Sequence, residues 1–138
     1  MTGCLINGPG GKFIVVRVRQ GDKEKRLIWA TGLCNHVSLV EECELRLRDG
    51  WDDHHEDIDV YTLGGGEIRA NHKTRTYYLW GESPEYGMEP DRAQTVADLN
   101  EQMIGWTTVG TEPPEGTFDY YLEACRINRA RANPGSWI

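Results

Sequence analysis

The order of patterned segments predicts an α/β (α+β) fold, a mixed β-sheet flanked by two helices with an extra C-terminal helix. Three observations carry this expectation. Lys12 to Arg19 alternates apolar and charged residues and is rich in β-branched side chains, the pattern of a strand. Two later stretches, after Gly32 and after Pro90, space their apolar residues three and four apart, as one face of a helix does. Between them, Thr74 to Trp80 is a second strongly strand-forming run, with Thr76, Tyr77, Tyr78 and Leu79.

Taken in order, residues 1–11 are rich in glycine and proline and read as a loose arm. In the first strand Phe13, Val15 and Val18 oppose Lys12, Arg17 and Arg19; Gly21-Asp22 supplies a turn, and Lys25 to Ala30 is the hairpin partner. The first helix starts at Asn35-His36 and places Val37, Val40, Cys43 (or Glu44) and Leu47 on one face. Ser38-x-x-Glu41 is a capping-box pattern, and Gly50 is the expected stop. Ile58 to Leu63 is a third strand closed by Gly64-Gly65-Gly66, with Glu67 to Ala70 extended beyond it. Gly81 to Gly87 is a loop, and Pro90 opens a second helix with Val96, Leu99 and Met103 on one face. Trp106 to Val109 is a last short strand, Glu112 to Gly116 a linker, and Phe118 to Ala132 a third helix. Residues 1–110 thus form the predicted domain and residues 111–138 a C-terminal extension.

With 138 residues the chain has room for one sizeable core. A hydrophobic fraction of 38% reads as globular, and no apolar run approaches the ~18 residues of a membrane span. The first residues lack the basic and apolar regions of a signal peptide, and glycine stands at position 3 rather than 2, so no myristoylation pattern is present. Cys4, Cys34, Cys43 and Cys125 form no Cys-x-x-Cys pair, which suits free thiols in a reducing cytoplasm. A net charge of −7 argues against nucleic acid as a partner while leaving room for a single phosphate in a local positive pocket. The expectation is a cytoplasmic monomer that engages neither nucleic acid nor membrane.

His36, at a helix start, meets the positive end of the backbone dipole, which favours the neutral ring that a general base or nucleophile requires. A side chain at a helix entrance is expected to carry modest packing. Gly64-Gly65-Gly66 permits close approach of backbone to a ligand or a neighbouring strand. The loop Gly81 to Gly87 leads from a strand into a helix, where backbone N–H groups and the Ser83 hydroxyl can receive an anion. Asp52-Asp53-His54-His55-Glu56-Asp57 reads as a solvated acidic loop, because adjacent residues point in different directions and no metal-ligand spacing supports them. His72 reads as an exposed residue in a polar turn. Cys125 and Arg131 match Cys-x5-Arg, but the residues between them lack glycine and continue a helix, so their amides are spent internally. Gly8 to Phe13 is not a P-loop, since Ile6 and Phe13 stand where glycine and Ser/Thr belong.

Four segments in sequence, Gly11 to Val18, His36, Leu63-Gly64-Gly65-Gly66 and Trp80 to Gly87, resemble the janus / protein histidine phosphatase family over roughly residues 11 to 109. The resemblance implies dephosphorylation of phosphohistidine in proteins with neither metal nor cofactor. It implies that His36 is the catalytic histidine and that Lys12 contacts phosphate. Ser83 and the Glu85 backbone would form the phosphate-binding loop, and Gly65 of the triplet would also bind the phosphate. Two positions depart from the family pattern. Glu67 stands where an arginine usually follows the triplet, and Ile28-Trp29-Ala30 occupies the stretch where another arginine is usual. Arg69, two residues beyond Glu67 and so on the same strand face, is placed to substitute. The expected function is hydrolysis of a phosphorylated protein substrate; the alternative is a non-catalytic module of the same fold that binds a phosphopeptide or protein.

Overall fold

The computed structural model describes residues 2–6, 10–32, 35–50 and 58–117. Along the chain it runs β1 (Thr2–Ile6), β2 (Gly10–Gln20), β3 (Lys23–Ala30), α1 (His36–Gly50), β4 (Ile58–Asn71), β5 (Thr76–Trp80), α2 (Arg92–Gln102) and β6 (Thr107–Val109). The strands form one six-stranded sheet in the order β1-β3-β2-β4-β5-β6. β1 joins β3 and β6 joins β5 in parallel, while the interior pairs are antiparallel. A mixed sheet with two helices is therefore what the chain adopts. Three expected features lie outside the described residues: the helix over 118–132 with Cys125 and Arg131, the acidic run 52–57, and Cys34.

Each face of the sheet carries its own apolar cluster. Ile14, Val16 and Val18 of β2 pack with Leu39, Val40, Cys43 and Leu47 of α1. The alternate residues Phe13 and Val15 pack with Ile28, Ile68, Leu79 and Leu99 on the α2 side. This explains why Phe13 to Val16 is an unbroken apolar run: β2 is buried on both faces.

The buried stripe of α1 runs His36, Leu39, Val40, Cys43, Leu47, while Val37 is exposed. The expected stripe was thus rotated at its start by one residue, about 100° around the helix axis. The correction matters because it places His36 at the head of the face that meets the sheet. The helix is capped by Asn35, whose side-chain oxygen accepts from the Ser38 N–H at 2.8 Å, so the expected Ser38 capping box is not the start signal. Cys43 is a free, buried thiol; desolvation pushes its pKa up to about 12, with Glu44 and Glu42 adding to the shift.

Three further expectations are corrected. The N-terminal arm is a strand over Thr2–Ile6, held parallel to β3 and packing Leu5 on one face and Cys4 and Ile6 on the other. The proline and glycines that follow dominated the sequence pattern, although Gly10 and Gly11 already belong to β2. The second helix begins at Arg92 with Asp91 as its cap, so Pro90 precedes it instead of standing in its first turn; Leu99 is buried with Thr95 and Asp98, and Met103 packs against the same cluster. The glycine triplet does not close a strand, because β4 continues through it to Asn71. Val15 pairs with Gly64 and Val16 with Thr62, so Leu63 is the extra residue of a bulge that bends β4 without ending it.

The triplet is glycine because backbone lies against it on both sides. A Cβ on Gly65 would run into the Phe13 carbonyl oxygen, and one on Gly64 into the backbone of Met88 and Glu89. Gly64 also has φ +148°, a conformation that L-residues rarely adopt. Gly65→Ala should therefore destabilise the fold by about 1–3 kcal/mol, the usual cost of overpacking. Urea denaturation measures this; an unchanged midpoint would show that β2 and β4 separate freely at this point.

Candidate functional site

The glycine strand leaves room for other segments to reach its backbone. From one side comes His36, whose ring Nε2 lies 3.0 Å from the Gly66 carbonyl oxygen. A carbonyl only accepts, so Nε2 carries the proton and, in the neutral ring, Nδ1 carries the lone pair. His36 is 1% exposed. The ring is thus a packed part of the core edge, which corrects the expectation of modest packing.

The second segment is the loop Ser83 to Gly87. It is clamped at its ends by the pair Ser83 N–H to Gly87 O (3.2 Å) and Gly87 N–H to Ser83 O (2.8 Å). Gly87 O also accepts from the Gly65 N–H at 3.0 Å, which fixes the loop to the triplet. Ser83 is buried, and its hydroxyl oxygen accepts from the Tyr86 N–H at 3.1 Å while its proton goes to Glu85 Oε2 at 3.2 Å. These bonds leave the Glu85 N–H aside. The same Glu85 oxygen stands 3.8 Å from His36 Nδ1, so the nitrogen with the lone pair faces this loop.

The third element is the cross-strand pair Lys12 and Glu67, directly opposite each other on β2 and β4. They sit one residue along from the Phe13–Gly66 pair that His36 touches. Lys12 Nζ donates to Glu67 Oε1 in a half-buried ion pair. Arg69 falls on the same face as Glu67, opposite Gly10 and Tyr78. It lies three residues beyond Gly66, roughly 10 Å along the strand. The structure brings His36, Gly65, Ser83 and Glu85 together at the triplet, with the Lys12–Glu67 pair one residue further along the strands and Arg69 two residues beyond Glu67 on the same face.

Behind the triplet lies a polar network that sequence reasoning missed. Glu89 is fully buried. Its carboxylate accepts from Arg92 Nε at 2.8 Å and from an Arg92 terminal nitrogen at 2.7 Å, with Thr95 Oγ1 donating at 2.7 Å. The same Arg92 fork donates to the Gly81 carbonyl at 2.8 Å and the Gly65 carbonyl at 3.3 Å, and its guanidinium stacks 5.1 Å from the Phe13 ring centre. Arg26 extends the network to Asp98 (3.0 Å), Thr95 (2.9 Å) and the Pro90 carbonyl (3.3 Å). One sequence signal was available: Arg92, Thr95 and Asp98 recur every three residues on the helix face that also holds Leu99. Both ends of the Ser83–Gly87 loop are thus tied to the triplet, through Gly87 directly and through Arg92 at Gly81.

Among the described residues no group of three or more His, Cys, Asp or Glu could hold a metal ion. His72 is exposed, edge-on to Trp106 at 5.3 Å.

A single mixed sheet with one helix on each face, and a buried histidine leading one helix onto a glycine strand, defines an α+β protein with its candidate centre at the sheet–helix junction. The Ocnus model of the Janus/Ocnus family matches residues 6–105, and the chain belongs to that family. No curated protein matches the chain.

Removing Arg92 should unsettle loop and fold together. Arg92→Ala leaves the Glu89 carboxylate buried without its counter-charge, at a cost of about 3–5 kcal/mol. Arg92→Lys should lose less, since the charge remains but the fork does not. Denaturant titration of the two variants checks this, and wild-type stability in Arg92→Ala would mean that the network does not hold the loop.

Proposed function

We propose that this chain is a phosphohistidine phosphatase whose reacting group is His36. The observation that carries the reading is the orientation of the ring. Nε2–H is engaged by the Gly66 carbonyl, and Nδ1, with its lone pair, is turned toward the Ser83–Gly87 loop. In the reaction the P–N bond to the substrate imidazole breaks and the leaving nitrogen takes up a proton. The new bond to phosphorus is made by water that gives its proton to Nδ1, or by Nδ1 itself followed by water. Such a transfer needs mainly an in-line nucleophile and donors for the equatorial oxygens. In this reading Lys12 and the Glu85 N–H would be the donors to those oxygens. Gly65 and Ser83 serve by holding the loop in place, since their own polar groups are spent on Gly87, Tyr86 and Glu85.

A second reading, a phosphopeptide- or protein-binding module without turnover, draws on one observation: Lys12 is already paired with Glu67. A phosphate must compete with that carboxylate for the lysine's charge.

Replacement of His36 separates the two readings. Because the ring is buried, His36→Ala should lose stability as well as rate, and His36→Gln fills more of the space. Turnover of a phosphohistidine peptide by folded His36→Gln should fall by about 10²–10⁴-fold, the range for loss of a general base. Near-wild-type turnover by this variant would remove His36 from the chemistry.

A further inference from the structure

The cation expected to receive phosphate is engaged by a carboxylate, and a second carboxylate lies beside the reacting nitrogen. Lys12 and Glu67 form a pair whose side chains are 33% and 31% exposed, so an incoming chain can reach both. Glu85, 43% exposed at its side chain, holds Oε2 3.8 Å from His36 Nδ1. The Tyr86 phenol, next in the loop, is pushed above its ordinary pKa by burial and then by Glu85, Glu41 and Glu44. Lys12, Glu67 and Glu85 together carry one net negative charge, with Arg69 two residues further along β4. A phosphate dianion on a neutral or acidic segment would meet repulsion from Glu67 and Glu85, with the one lysine at this point already neutralised.

A substrate that brings its own cation resolves the conflict. As Lys12 turns to the phosphate, Glu67 is left with an unpaired charge, and a lysine or arginine beside the phosphorylated residue takes the place of Lys12. Each charge keeps a counter-charge: phosphate on Lys12, the substrate's cation on Glu67, with Glu85 available to a second basic residue. Building on the proposed phosphatase reading, we infer that the site selects phosphohistidine segments flanked by basic residues and that Glu67 is the specificity-determining residue. Lys12 and Glu67 then act as an exchange pair, closed on each other without substrate and opened by a ligand that supplies both signs.

The test uses the full chain and two phosphohistidine peptides that differ only in their flanks, lysine in one and alanine in the other. Turnover and binding are measured for wild type and Glu67→Gln. Wild type should favour the lysine-flanked peptide by about five- to tenfold in kcat/KM, the scale of one charge-assisted pair near a surface. The preference should shrink at high salt. Glu67→Gln should bring the ratio close to one, chiefly by improving the alanine-flanked peptide, because Lys12 is released. Equal kcat/KM for the two peptides in wild type, or an undiminished preference in Glu67→Gln, would overturn the inference. If neither peptide is hydrolysed, the phosphatase reading fails. Binding then decides the inference alone: a tighter lysine-flanked complex that depends on Glu67 supports it, and equal affinities overturn it.

Discussion

Much of this structure depends on bare backbone at Gly64-Gly65-Gly66. Side chains there would press on β2, on the Met88–Glu89 segment and on the Trp80–Gly81 backbone. Without them, a carbonyl of the strand can anchor His36, an N–H can anchor Gly87, and another carbonyl can receive the Arg92 fork. The contact thus links two functions that are usually separate. It lets the sheet pack tightly between two helices, and it gathers a helix start and a loop on the same few backbone groups. The Leu63 bulge contributes by shifting the register of β4 against β2 just before the triplet.

The buried Glu89–Arg92–Thr95 group is the complement of that arrangement. A carboxylate with no solvent exposure is costly unless its partners are complete, and here one guanidinium and one hydroxyl saturate it. The same guanidinium then reaches across to Gly81 and Gly65, so the ion pair both neutralises the carboxylate and ties the far end of the loop. These ties hold Glu85 and its backbone beside His36, the fixed placement that the proposed phosphoryl transfer would need.

The parts of the fold that were legible in the sequence are those where local pattern and tertiary packing agree. The β2–β3 hairpin around Gly21-Asp22, the strand over Thr76–Trp80 and the helix start at His36 all follow from alternation, turn chemistry or spacing. What failed did so for identifiable reasons. β1 is held by its neighbour in the sheet, and its five residues carry too little pattern to outweigh the Gly-Pro stretch after them. The triplet looked like a strand end because glycine usually weakens strands, whereas here close packing demands it. Val37 was placed inside and Leu39 was overlooked, because a helical stripe read from apolar residues alone ignores a polar residue such as His36 that belongs to it. Ser83 and Glu85 were expected near His36 and lie beside it, whereas Lys12 is paired with Glu67 one residue along from the Phe13–Gly66 pair. The Lys12–Glu67 pairing follows only from strand register, which the sequence does not display.

The most direct measurement is phosphorus NMR of the wild-type protein mixed with excess phosphohistidine peptide in the presence of EDTA. If His36 turned toward the Ser83–Gly87 loop transfers the phosphoryl group to water, inorganic phosphate should accumulate over many turnovers per protein molecule, and chelator should not slow it. A phosphopeptide resonance that broadens or shifts on binding while no inorganic phosphate forms would contradict the account and leave a phosphopeptide-binding module in its place.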